Sequence, residues 1–348
     1  MKFDWPDWIK RANLFRINSK WAWERWFLMY LHSDHALDAL ALTLAVSSHG
    51  RRPGQSVSIK SIWVDGTPQV EGYYSPSDEV KCELADLLLI VVEEDVRGVL
   101  RSEQALLFQG KIADDPVKIP PGGSTPKERR LLELLIRSKP LKVYPGMKRI
   151  NEVKYDLGMV KNSPTLGLKD CARFLLMPKL PFWGPPAAPF INPYVVGWPK
   201  STTSNQLDQP ITFVEAILRM RSWYSPQLGR EVLLPGTGAC EWTRLVNTLR
   251  NNYAGVDMDG YDNQPRIQTS SRYSCLYAVT PQRNTSPFPP HIKTSYYGSA
   301  SRDHFSFWEG ERGGGSGNEG VERTGKADAD GDPMLPTVIV TFRDLTWD

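Results

Sequence analysis

The order of periodic segments predicts an α/β protein, and three observations carry that prediction. Two windows with helical spacing open on capping chemistry, at 33–48 and from Ser124 onward. The stretch SVSIKSIWV at 56–64 alternates polar and apolar residues, as a half-buried strand does. The run Leu87 to Val92 is short, apolar and bounded by charge, which favours a buried strand over a helix. In sequence order the core from about residue 25 to 150 reads helix, strand, strand, strand, helix, strand: αβββαβ.

Each element has a local reason. SKWAWERWFLMYL (19–31) is a helix-like lead-in, apolar enough to be buried. SDHALDALALTLAVSS (33–48) follows with Ser33 or Asp34 as its N-cap, and Arg51-Arg52-Pro53-Gly54 ends it. Asp65-Gly66 supplies turn chemistry after the first strand. ELADLLLIVVEE (83–94) and EQALLFQGKI (103–112) read as a hairpin turning near Gly98. Pro120-Pro121-Gly122-Gly123 is a loop. The helix starting at Ser124-Thr125-Pro126, with a hydroxyl cap and a proline in its first turn, runs to Ser138. Lys139-Pro140 stops it, and LKVYP (141–145) is a short strand.

The chain then divides into a Trp-rich helical lead-in (1–30), a core (31–160) and an irregular, mixed C-terminal region (161–348). Residues 178–200 interleave prolines and glycines with Phe182, Trp183, Phe190, Tyr194 and Trp198. Helices are expected at 211–223 and 240–253 and a strand at 337–342, and 309–333 lack apolar anchors and read as disordered.

Composition narrows the class. The chain has 348 residues, 41% hydrophobic and 23% charged, so a packed core is within reach. A net charge of +3 neither demands nor excludes nucleic acid. The four cysteines (Cys82, Cys171, Cys240, Cys275) form no CxxC pair, which argues against a structural zinc site or a disulfide framework. No apolar leader is visible, and no run approaches the ~18 apolar residues of a membrane span, so a cytoplasmic protein is expected. Trp5, Trp8, Trp21, Trp23 and Trp26 suit core packing or a protein-partner surface, as does the aromatic 178–200 segment.

The chemistry lies at the end of the central hairpin. A turn near Gly98 would set Asp86 opposite Gly110, between Gln109 and Lys111, whose side chains share a face because strands alternate with period two. A carboxylate, a carboxamide oxygen and an ammonium can thus converge. Phosphodiester hydrolysis uses a hard cation to polarise phosphoryl oxygen, and magnesium needs few protein oxygens because it keeps several waters. Asp86 and Gln109 would hold Mg²⁺ or Mn²⁺, while Lys111 would orient water or stabilise charge on the phosphate. Glu83 and a helix acid such as Asp38 are further metal-binding candidates.

The pattern Asp86…Gln109-x-Lys111 resembles the PD-(D/E)xK nuclease superfamily, in the QxK variant shared by Mrr-like restriction endonucleases. The resemblance covers roughly a third of the chain. It implies a restriction-endonuclease-like αβββαβ core with catalytic Asp86, Gln109 and Lys111, DNA as substrate, and a setting in bacterial defence. Ala85 stands where the family often has proline, and Asp34 and Asp38 both qualify as the first-helix acid.

Other signals are weaker. His35 and Asp38 share a helix face, and Gly236-Thr237-Gly238 fails the spacing of a phosphate loop. Arg219, Arg221, Arg244 and Arg250, with Trp223 and Tyr253, could form a nucleic-acid face, and Lys127, Arg129 and Arg130 could meet phosphate backbone. Two rival readings remain: a non-catalytic scaffold built on an inactive core, and a nucleic-acid binder without catalysis.

Overall fold

The computed structural model describes residues 24, 27, 28, 31, 32, 34–49, 54–62, 68–144, 152–158, 165–179, 194–233, 240–251, 273–279, 292–295 and 335–345. Helix α1 (Asp34–His49) and strands β1 (Gln55–Ile62), β2 (Gln69–Tyr73), β3 (Glu79–Glu83), β4 (Leu87–Glu94) and β5 (Leu100–Ala113) come first. Helix α2 (Thr125–Leu134), β6 (Leu141–Tyr144), β7 (Val153–Tyr155), β8 (Ala172–Pro178), β9 (Val195–Pro199) and β10 (Leu207–Thr212) follow. The remainder is α3 (Phe213–Arg219), β11 (Arg230–Glu231), α4 (Glu241–Asn251), β12 (Tyr273–Val279), β13 (Ile292–Ser295) and β14 (Thr337–Asp344).

The protein is mixed α/β, with few helices and a large mixed sheet. Among the described residues that sheet runs β10-β9-β8-β5-β4-β14-β1-β12-β13, with β11 also on β5, and β3-β2-β6-β7 form a second, antiparallel sheet. Both faces of the sheet are covered at β4, which is why Leu87–Val92 reads as an unbroken apolar run. Leu87, Leu89 and Val91 face one core with Leu37, Leu40, Ala41, Leu44 and Ala45 of α1. Leu88 and Ile90 face the other, with Leu131 and Leu132 of α2, Val70 and Val143 of the second sheet, and Trp242, Leu245, Val246 and Leu249 of α4. The i, i+3, i+4, i+7 spacing makes α4 a one-sided helix, whereas α1 carries the same buried stripe but is apolar on its other faces too, with Val46 exposed. Burying each large apolar side chain contributes ~1.5–3 kcal/mol.

Several expectations change. The 83–94 segment is two pieces: Glu83 ends β3 in the second sheet, the chain bends through Leu84-Ala85-Asp86, and β4 starts at Leu87. The expected αβββαβ run is interrupted, because β2 and β3 enter between β1 and β4 and belong to the second sheet. The strand after α2 that joins β5 is β8, in parallel register, whereas Leu141–Tyr144 pairs with β2. Strand β14 stands between β1 and β4, antiparallel to the first and parallel to the second, so the sheet draws on both ends of the chain.

Helix α2 ends at Leu134, short of Ser138, and the Ser124 hydroxyl makes no cap hydrogen bond. The 211–223 window is strand through Thr212 and helix only over Phe213–Arg219, where the Thr212 side chain accepts from the Glu215 amide. Residues 1–23, Trp26, 180–193, 234–239, Tyr253 and 309–333, and the side chains of Asp34, His35 and Asp38, lie outside the described residues, as do the expectations placed on them. No described helix is long and apolar enough to cross a membrane.

Candidate functional site

Strand β4 is shorter than its partner. Its first residue, Leu87, pairs with Phe108, and β5 continues to Ala113 against β8 on its other side. Gln109, Gly110 and Lys111 therefore line a notch beyond the end of β4, and Asp86 fills it. The Asp86 amide donates to the Phe108 carbonyl at 2.8 Å. Its Oδ2 accepts from the Gly110 amide at 2.7 Å and from Nε2 of Gln109. The structure thus brings Asp86, Gln109 and Lys111 together, with the hairpin one residue out of the expected register: Leu87 pairs with Phe108, where a turn centred on Gly98 would pair it with Gln109. The turn is the cause. It spans Asp95–Val99, with both the Arg97 and Val99 amides donating to Asp95 Oδ1, and a register shift between Glu93 and Glu94 adjoins it.

Gly110 gives the carboxylate its seat. A Cβ there would lie 2.9 Å from Met177 Cε, so a side chain would displace the end of that methionine, while Asp86 Oδ2 would stand at ordinary contact distance, 3.5 Å.

Two acids that sequence reasoning did not assign to the site enter it. Glu128, buried in the first turn of α2, places Oε2 2.9 Å from Lys111 Nζ, as an ion pair angled away from hydrogen-bond geometry. Glu24, from the lead-in segment, lies 3.7 Å from the same ammonium. Glu24 thus reaches the cluster by contact. Only its place in the 19–31 helical window, one turn before Leu28, could have signalled it. Glu83, partly exposed at the end of β3, is close enough for its charge to act on both Glu24 and Asp86.

The electrostatics follow from four carboxyls around one ammonium. Burial pushes the Asp86 carboxyl well above its ordinary range, the charge of Glu24 adds to this, and Lys111 opposes it. Glu24 rises from 4.5 to about 7, through burial first, with Lys111 opposing and Glu128 and Glu83 adding. Burial lowers the Lys111 pKa, but Glu24, Asp86 and Glu128 outweigh it and hold the ammonium charged. A consequence is measurable in metal-free buffer. Because the folded state binds the Glu24 proton more tightly than the unfolded chain does, its contribution is complete below 4.5, falls as pH rises, and is lost above about 7. The urea midpoint is expected to decline across that window, and Glu24→Gln to flatten the decline. An equal slope in the variant would assign the effect elsewhere.

The donor set suits a hard cation in part. The Oε1 atom of Gln109 is buried and has no hydrogen-bond partner, an arrangement that costs about 1–3 kcal/mol unless something fills it. It neighbours the Asp86 carboxyl in a site where acidic groups outnumber the one lysine and the potential ligands are oxygens, the chemistry of Mg²⁺ or Mn²⁺. Against this, no three His, Cys, Asp or Glu side chains among the described residues are grouped to hold an ion. Any ion held here would rely on Asp86, the Gln109 carboxamide and water. No family model, curated protein or solved structure matches the chain.

The expected basic surfaces fare unevenly. Arg221 is fully buried against Glu93. Arg219, Arg244 and Arg250 pair with Glu215, Glu241 and Glu103. Arg129 is bound to Glu133, Asn205 and the Ser201 and Thr202 carbonyls. Lys127 and Arg130 are exposed on α2, where the Arg130 guanidinium sits 5.0 Å above the Tyr74 ring.

Proposed function

We propose that this chain is a metal-dependent nuclease that hydrolyses DNA phosphodiester bonds on a restriction-endonuclease-like core. The observation that carries the reading is the unpartnered, buried Gln109 Oε1 beside Asp86, in an acidic cluster with Lys111 at its centre. The helix–strand hairpin–helix–parallel strand succession of α1, β4–β5, α2 and β8 supports the core assignment, although β14 lies within the sheet.

Bound Mg²⁺ or Mn²⁺ would lower the pKa of an attacking water and polarise a phosphoryl oxygen. Asp86 and Gln109 would hold it, with Glu24 and Glu83 balancing its charge. The Gly110 amide fixes the Asp86 carboxylate. Lys111, kept protonated by its neighbours, acts as a cationic donor to charge developing on the phosphate rather than as a base. Exposed Lys127 and Arg130 on the helix that carries Glu128 are suited to flanking phosphates.

Cleavage of plasmid and linear DNA with Mg²⁺, Mn²⁺ or EDTA tests this. Cutting is expected only with metal, falling by about 100-fold or more in Asp86→Ala and in Lys111→Ala. Cutting that persists in both variants would remove the site. A wild type inactive with every metal would favour the non-catalytic scaffold, a reading supported by the two N–H donors already on Asp86 and the lack of a three-ligand group among the described residues.

A further inference from the structure

Lys111 sits on a strand, but the carboxylate nearest its ammonium comes from a helix. Glu128 is 2% exposed and Lys111 5%. A buried ion pair is a poor way to gain stability, because desolvating both charges offsets their attraction, and an apolar pair of similar volume is often as stable. What such a pair does supply is a fixed position. Here α2 is a rigid platform for it. Leu131, Leu132 and Leu135 anchor the helix region in the core. Next to Glu128, Arg129 ties the outer side of the helix to Asn205 Oδ1 at 2.6 Å and to the Ser201 and Thr202 carbonyls at 3.0 Å. Glu24 is farther from the ammonium, at 3.7 Å, and its side chain is 33% exposed.

We propose that Glu128 is the positioning residue for Lys111: the α2 carboxylate holds the lysine ammonium beside Asp86 and Gln109, so that helix packing sets where the cation stands over the scissile phosphate. The assignment rests on the nuclease reading for its catalytic consequence, though not for the contact itself. Without Glu128 the flexible lysine stem has only the more distant Glu24 and the Asp86 side, and the ammonium samples other rotamers.

Two readouts on the full chain separate contact from catalysis. In ¹⁵N spectra of lysine ammonium groups, an ordered, ion-paired Lys111 gives a slowly exchanging resonance. That resonance is expected in the wild type and in Glu24→Gln and should vanish in Glu128→Gln while circular dichroism stays native. In metal-dependent DNA cleavage, Glu128→Gln should lower kcat by roughly 10- to 100-fold with KM little changed, and Glu128→Asp should recover part of the loss. A persistent Lys111 resonance, or an unaltered kcat, in Glu128→Gln overturns the proposal. If Glu128→Gln does not fold, Glu128→Met, close in volume and apolar, takes the same measurements. A wild type that cuts no DNA defeats the nuclease reading alone, since the resonance still reports whether Glu128 holds Lys111.

Discussion

A chain that stops at residue 336 is expected to lose its cooperative fold. The segment it lacks, β14, is an interior strand. It pairs over Gln55–Ile62 on one side and from Leu88 to Glu94 on the other, joining strands far apart in sequence. Val338, Val340 and Phe342 are completely buried in the core shared with α1. Losing three such side chains removes about 5–9 kcal/mol, comparable to the whole stability of a typical domain. It also strips the hydrogen-bonding partners from one edge each of β1 and β4, leaving the apolar Leu87–Val92 run beside an open ladder that invites aggregation. Near-UV circular dichroism and urea unfolding test this. A truncated chain with a native spectrum and an unchanged midpoint would contradict the central placement of β14.

Arg221→Ala is expected to cost about 3–5 kcal/mol. This guanidinium is fully buried, donates to Glu93 Oε1 at 3.1 Å and to Gln55 Oε1 at 2.7 Å, and stacks 4.0 Å from the Phe342 ring. It therefore ties β4, β1 and β14 together from the turn after α3. The alanine variant removes that tie and leaves the Glu93 carboxylate buried with less to neutralise it. In the wild type, burial would raise the Glu93 pKa, but hydrogen bonds from Ser222 and the charge of Arg221 hold it below the ordinary 4.5. The stability it contributes is therefore present above 4.5 and lost as the pH falls through its lowered value in the folded state. Urea midpoints should show Arg221→Ala destabilised at neutral pH, with less of its remaining stability lost on acidification. Glu93→Gln in the same background should recover part of the loss. A double variant no better than the single would place the energy in the Phe342 stacking instead.

The two sets of charges in this protein do different things, and burial alone does not distinguish them. Glu93 is satisfied by direct hydrogen bonds from Ser222, Arg221 and Ser102, and the outcome is a depressed carboxyl pKa. At the notch, Asp86 and Glu24 are both raised, and a carboxamide oxygen is left without a partner. The first pair is satisfied from within the fold, and the second is the arrangement that the proposed metal would relieve.

Much of this arrangement could be read before any coordinates. The apolar run of β4, the polar end of β5, the capped start of α1, the one-sided α4 and the terminal β14 each announce themselves in a few consecutive residues. Asp86, Gln109 and Lys111 were legible as a cluster because a hairpin joins their strands, and a hairpin ties register to a turn. Even so the register was off by one, since the Asp95 side chain shapes the turn and the irregularity at Glu93 and Glu94 adjoins it. Glu128 was visible only as a residue in a helix start, and Glu24 only as a charge in an aromatic helix.

Local chemistry, then, determined the elements and one strand-end constellation. Tertiary structure alone decided which elements meet: that β8 rather than Leu141–Tyr144 extends β5, that β14 enters between β1 and β4, and that α2 and the lead-in bring acids to Lys111. The physical reason is that periodicity, caps and turns act over a few residues. Parallel pairings and buried ion pairs instead join residues that no turn connects, so they are chosen by the packing of the whole chain.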